Sequence, residues 1–253
     1  MPQTLYQLDP EHCGFPPADQ ALYSPPGLLA IGGDLHPQRL LEAYRHGIFP
    51  WFSEGEPIAW WSPDPRCLFD TRHLQVPRRL LRTFRGKAWT LSMDRAFAEV
   101  IGACAQPRQD AEGTWITPAM CKAYLQLHQQ GQARSFEVWE QGRLVAGLYG
   151  VAVGGLFSGE SMFSRVRDGS KAALFFACAM LARHNCPWLD AQVSNHHTLS
   201  LGAKEYPREH FLRELERLRD QTGLPDIGKV RTPWPNTHAL STWLMTLRKQ
   251  GNP

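Results

Sequence analysis

The chain has 253 residues, of which 43% are hydrophobic and 20% charged, with a formal net charge of +3; this permits one large domain, or a large domain with a small partner, around a packed core. No stretch approaches the roughly 18 apolar residues of a membrane span. Residues 1–10 lack the basic start and apolar run of a secretory signal, so a cytoplasmic protein is expected. The six cysteines have no C-x-x-C spacing and no histidine nearby to complete a metal set, so neither a metal nor another cofactor is expected. His196-His197 is the best remaining ligand pair, but adjacent residues on a strand point to opposite faces.

The first sixty-odd residues are dense in proline, glycine and aromatics, with Phe15-Pro16-Pro17, Pro25-Pro26-Gly27 and Gly32-Gly33-Asp34. One short helix is expected there, capped by Asp34, with Pro37 in its first turn, an apolar face of Leu40, Leu41 and Tyr44, and a stop at Gly47. Ser62-Pro63-Asp64-Pro65 reads as an extended linker, because each proline disfavours helix at the residue before it. A small N-terminal domain over 1–65 is expected on that basis, a larger domain over 66–235 and a C-terminal tail over 236–253.

Beyond Pro65 the pattern is regular. Helices are expected over 78–85, 94–105 and 118–130, the last with Thr117 as N-cap and Pro118 in its first position. Strands follow over 135–140, 143–153 and 156–162, joined at Gln141-Gly142 and Gly154-Gly155. An alanine-rich helix over 171–183 has Ser170 at its cap; a strand over 188–194, a helix over 208–219 and a short helix over 240–249 complete the chain. This order gives an α+β fold with a mainly antiparallel sheet, and suits the acyltransferase fold typified by the GNAT family.

Three groups of residues could carry chemistry. Asp190 and Gln192 share one face of an apolar strand, an expensive placement unless they are hydrogen-bonded or useful. The pair is either structural or an acceptor positioned to take a proton. Glu160, in Gly159-Glu160-Ser161, ends an apolar strand; it makes ordinary strand-end bonds or, if that strand neighbours Asp190, adds a second carboxylate that favours a cationic substrate. Arg78, Arg82 and Arg85 fall at i, i+4 and i+7 as one basic stripe, either a solvated helix face or a contact for a phosphate backbone. Trp51, Trp60, Trp61 and Trp115 are core packing or, on loops beside that stripe, platforms for base stacking. No phosphate-binding loop, dinucleotide fingerprint, zinc-protease helix or nucleophile elbow is present.

Six separated segments carry a resemblance. Pro26-Gly27-Leu28-Leu29-Ala30-Ile31-Gly32-Gly33-Asp34-Leu35, Gly47-Ile48-Phe49-Pro50-Trp51-Phe52, Trp60-Trp61-Ser62-Pro63-Asp64-Pro65-Arg66, Glu112-Gly113-Thr114-Trp115-Ile116-Thr117, Phe157-Ser158-Gly159-Glu160-Ser161-Met162-Phe163-Ser164 and Ser200-Leu201-Gly202-Ala203 resemble, in order, the motifs of the leucyl/phenylalanyl-tRNA–protein transferase family. The resemblance covers residues 15–235; the tail carries no motif of the family, and the helix over 171–183 departs from it.

The resemblance implies a small N-terminal domain before a GNAT-like catalytic domain; a monomer is expected. It implies that Leu or Phe, less often Met, moves from Leu-tRNA or Phe-tRNA to proteins beginning with Arg or Lys, tagging them for N-degron degradation. It further implies that Trp51 and Trp115 bracket the terminal adenosine, that Met162 and Tyr124 shape the aminoacyl pocket, and that Arg78, Arg82 and Arg85 track the acceptor stem. An aminoacyl ester is already activated, so the reaction needs neither ATP nor a metal. The acceptor α-amine, with an ordinary pKa of about 7.7–8.0, must lose a proton to attack. Asp190 would accept or relay that proton, unless the terminal ribose hydroxyl carries it instead, and Gln192 would orient Asp190 or the amine and stabilise the developing tetrahedral charge. An acyl-CoA enzyme is the first rival reading, but residues 165–170 do not match the [QR]-x-x-G-x-[GA] pyrophosphate segment; a non-catalytic tRNA binder is the second.

Overall fold

The computed structural model describes residues 4–107, 115–226 and 232–250, so the Glu112–Thr114 part of one motif lies outside the described residues. Two sheets organise the chain. The smaller is built from β1 (Tyr6–Leu8), β2 (Leu28–Gly32), β3 (Phe49–Pro50) and β4 (Ala59–Trp61) in the order β1-β2-β4-β3, with α1 (Pro37–Arg45) between β2 and β3. The cap of α1 is His36, whose ring accepts from Gln38 N, and not Asp34 as expected. Asp34 lies two residues before the cap, accepting from His36 N at 2.7 Å and pairing with Arg39. Gly47 does end this segment, at φ 75°, and a Cβ there would sit 2.8 Å from Phe211 and Leu212. Only glycine allows both the turn and that close approach.

The larger sheet begins at β5 (Arg66–Asp70), after the cis Asp64–Pro65 bond. Then come α2 (Arg78–Lys87), β6 (Thr90–Met93), α3 (Phe97–Cys104), α4 (Pro118–Gln129), β7 (Ala133–Glu140), β8 (Arg143–Val153) and β9 (Leu156–Ser164). α5 (Gly169–Arg183), β10 (Trp188–Gln192), α6 (His196–Ser200), β11 (Lys204–Tyr206), α7 (Arg208–Leu218) and α8 (Thr237–Gln250) follow. The seven strands run β11-β5-β10-β9-β8-β7-β6, antiparallel at every step except β9 against β10. The α+β class and mainly antiparallel sheet expected from the sequence are present.

Both faces of this sheet are covered. On one, α5 is buried almost all round and packs, with α2 and α8, against Phe136, Val138, Phe157 and Leu189. On the other, α3, α4 and α1 pack over Tyr149, Val151 and Val153, in a core that continues into the small sheet through Leu29, Ile48 and Trp60. α7 closes the β5–β10 end, with Phe211 and Leu215 beneath Leu68 and Trp188. Thr117 caps α4, accepting from Met120 N at 3.2 Å.

One further cap, two helix bounds and the placement of His196-His197 differ from expectation. α5 starts at Gly169 with Asp168 before it, and Ser170 N donates instead to Ser164 Oγ. The helix expected from Asp94 starts at Phe97, because the Asp94 carboxylate is taken by Arg134 and Ser135 N. His196 and His197 lie on α6 rather than on a strand. The helix expected over 240–249 runs longer, as α8, and buries Leu240 and Leu244 in the main core.

Candidate active site

β9 and β10 pair over only three positions, ending at Ser158 opposite Asp190, after which β9 continues to Ser164 and β10 turns away. A cavity of about 560 Å³ lies where they part. Phe69, Leu148, Met162, Leu174, Leu189 and Ala191 give it an apolar lining, to which Glu160, Trp115, Asn195 and His197 add aromatic and polar groups. Parallel pairing produces this opening because β9 and β10 cannot form a hairpin; α5 must cross between them, and the backbone ladder between the two strands stops at Ser158 and Asp190.

Glu160 is the extra residue of a bulge in β9, where the register against β8 slips between Tyr149 and Gly150. The bulge re-aims its side chain into a polar chain behind the cavity. Gln192 Nε2 donates to Glu160 Oε1 at 2.7 Å, and Tyr124 of α4 donates to Oε2 at 3.0 Å. The Tyr44 hydroxyl, from α1, lies 2.5 Å from that of Tyr124. Burial pushes the Glu160 carboxyl from 4.5 up to about 7, against the opposing effect of the Tyr44 and Tyr124 hydroxyls, while the nearby Asp190 charge adds to the rise. Burial likewise pushes both phenols well above their ordinary value. A carboxyl near 7 is matched to proton transfer at neutral pH.

Asp190 is fully buried. Its Oδ1 accepts from Arg66 Nε and from the backbone N–H of Gln192, each at 2.8 Å. Its Oδ2 accepts from Arg66 Nη2 at 2.6 Å and from Ser158 Oγ at 3.2 Å. Both oxygens are thereby engaged by protein donors, and Asp190 does not line the cavity. Asp190 and Gln192 thus sit beside Glu160, as adjacency of the strands requires, but of these three Glu160 is the one that lines the cavity.

The other expected site residues are distributed around this centre. Met162 and Trp115 line the cavity, whereas Tyr124 lies behind Glu160. Trp51 follows β3, is 47% exposed, and packs against Trp61 with ring centres 5.6 Å apart. Arg78, Arg82 and Arg85 are exposed on α2, whose opposite side buries Leu80, Leu81 and Phe84. No acidic partner pairs with these three arginines among the described residues. Two members of the centre are new. Tyr44 reads in the sequence as one more apolar helix position, and Arg66 as the residue that follows a proline-rich linker. The available signal was Arg66 itself, a charge opening the apolar run Cys67-Leu68-Phe69.

Among the described residues no helix is long and apolar enough to cross a membrane, and no cluster of three His, Cys, Asp or Glu is placed to hold a metal.

Residues 68–216 match the family described as leucyl/phenylalanyl-tRNA protein transferase, and residues 33–64 match that family's N-terminal domain. A leucyl/phenylalanyl-tRNA–protein transferase of Xylella fastidiosa (strain M23) is 54% identical over 227 residues, covering 89% of this chain and 93% of its own. One from Xanthomonas campestris pv. campestris (strain B100) is 53% identical over 229 residues, covering 89% and 91%. Among solved structures, a GCN5-related N-acetyltransferase from Kribbella flavida overlaps 65% of this chain and 58% of its own, with 15% identity and a TM-score of 0.34, too loose an overlap to bear on the reaction. Identity above one half across nearly nine-tenths of the chain, with both family segments matched in order, places this acyltransferase in the leucyl/phenylalanyl-tRNA–protein transferase family.

Proposed function

We propose that this enzyme moves Leu or Phe, less often Met, from aminoacyl-tRNA to proteins whose first residue is Arg or Lys, tagging them for degradation, and that it works as a cytoplasmic monomer. The observation that carries the chemical part is Glu160: a buried carboxyl near 7, on the wall of an apolar cavity and hydrogen-bonded to Gln192. In this reading the apolar aminoacyl side chain fills the cavity beside Met162, Trp51 and Trp115 hold the terminal adenosine, and Arg78, Arg82 and Arg85 meet the acceptor-stem phosphates.

The acceptor amine, once its ammonium proton has gone to solvent, gives a second proton to Glu160 as its nitrogen attacks the ester carbonyl. The C–N bond forms, the bond from carbonyl carbon to ribose oxygen breaks, and the proton held by Glu160 goes to that leaving oxygen. The Gln192 amide has two N–H groups. One is committed to Glu160, and the other is left to meet the developing oxyanion. Asp190 serves by position, since a proton placed on it would have to displace a bond from Arg66, Ser158 or Gln192 N. Tyr124 steadies Glu160 from behind.

Incubating the protein with radiolabelled Leu-tRNA and peptides that differ only at residue one tests donor and acceptor together. Label on peptides starting with Arg and Lys alone is the expected result. Equal label on Ala- or Glu-starting peptides would remove the acceptor claim, and no label on any peptide would remove the transfer claim.

A further inference from the structure

Arg66 lies outside the reacting groups and yet holds them in place. It opens β5, is 1% exposed, and its guanidinium sits 5.0 Å from the ring centre of Phe49 and 4.3 Å from that of Phe211. Nε and Nη2 take the two oxygens of Asp190, while Nη1 donates to the carbonyl of Gly47 at 3.0 Å. A single side chain thus binds the strand that precedes Trp51, the helix α7 and the strand that carries Gln192. A buried ion pair of this kind is often no more stabilising than an apolar pair of equal volume. What it does supply is a fixed geometry, because the planar fork of an arginine meets a carboxylate in one orientation.

That geometry is passed directly to the reacting amide. The Asp190 oxygen that accepts from Arg66 Nε is the one that accepts from Gln192 N. Gln192 has φ 63°, a left-handed conformation that residues with a Cβ rarely adopt, and it sits where the register of β10 against β5 slips. Such a conformation persists only where its surroundings over-determine it. Here the determining contact is the carboxylate that Arg66 clamps, and from this backbone the side chain reaches Glu160.

We propose that Arg66 is a positioning residue for transfer: by gripping both oxygens of Asp190 and the carbonyl of Gly47, it sets the Gln192 bulge and locks it to the segment bearing Trp51. This rests on the reading of Gln192 and Glu160 given above.

The test uses the full chain with Leu-tRNA and an Arg-starting peptide, in three variants: Arg66→Lys, the double change Arg66→Met with Asp190→Leu, and Gln192→Ala. Melting temperature, kcat and KM for Leu-tRNA are measured for each, well below the melting range. The double change removes both charges together and so leaves no unpaired ion. It is expected to fold and to lose roughly 10²-fold in kcat, with KM within about threefold, because misplacement of a reacting group costs turnover rather than binding. Arg66→Lys keeps the charge without the fork and is expected to lose about tenfold or more in kcat. If the double variant fails to fold, Arg66→Lys decides alone. A folded variant of Arg66 with kcat within about threefold of the original, while Gln192→Ala is impaired, would overturn the proposal and assign Arg66 to stability only. Unimpaired Gln192→Ala would instead remove the reading beneath it, and the proposal with it.

Discussion

Glu160 experiences two opposed influences, and the larger is burial, which raises its carboxyl to about 7. A proton acceptor must be ionised, so turnover at saturating donor should climb as pH rises through about 7. The acceptor amine titrates nearby, at about 7.7–8.0, so a rising limb alone does not identify the group. Tyr124→Phe separates the two. Its hydroxyl stabilises the ionised carboxylate, so removing it should move the Glu160 limb to higher pH and leave the amine's limb where it was. Glu160→Gln should abolish that limb and lower kcat by roughly 10²–10⁴. The same shift carries a stability signature. Between about 4.5 and 7 the folded protein keeps a proton that the unfolded chain releases, so the contribution of Glu160 falls as pH rises through that window and is level above it. Glu160→Gln should therefore gain melting temperature relative to the original as pH rises from 4.5 to 7.

At the scale of elements, α2 is unusual. Arg78 and Arg79 occupy its first turn, where no acidic residue offsets them. A cation at a helix N-terminus is disfavoured by about 0.3–1 kcal/mol. The helix forms because Leu80, Leu81 and Phe84 are buried and α8 is laid across it, with Thr237 donating to the Phe84 carbonyl at 2.8 Å. The arginines are then free for an external partner. Reversing charge at Arg78 and Arg82 should raise the Kd for tRNA and lower the slope of log Kd against log salt by about 1 per lost contact, with kcat at saturation little changed; a filter-binding salt series measures this. The helix was legible in the sequence because its apolar positions recur at helical spacing. β5 was not, since it is buried on both sides and opens with a charge, so no alternation marks it. β1 to β4 are two to five residues each among prolines and aromatics, shorter than any periodic signal. Asp190 and Gln192 stood out as polar residues on an apolar strand, but the sequence could not show that Arg66, 124 positions away, takes up the carboxylate.

Across the whole molecule, the site depends on the chain's two ends. Tyr44 and the Gly47 carbonyl come from the first fifty residues and satisfy groups on α4 and β5. The C-terminal helix supports the basic face from behind. Deleting residues 237–253 would expose the side chains that Leu240 and Leu244 cover, at about 1.5–3 kcal/mol for each leucine lost from the core. A lower melting temperature and weaker tRNA binding are expected, with the Glu160 limb of the pH profile unmoved. The two kinds of arginine in this protein also respond differently to their surroundings. Those on α2 stand in water, where ions at 0.15 M screen charges over about 8 Å, whereas Arg66 is sealed between two aromatic rings beyond the reach of mobile ions. If the α2 arginines hold the donor as proposed, rising ionic strength would lower how often it is captured while leaving the pace of reaction, once it is seated, unchanged.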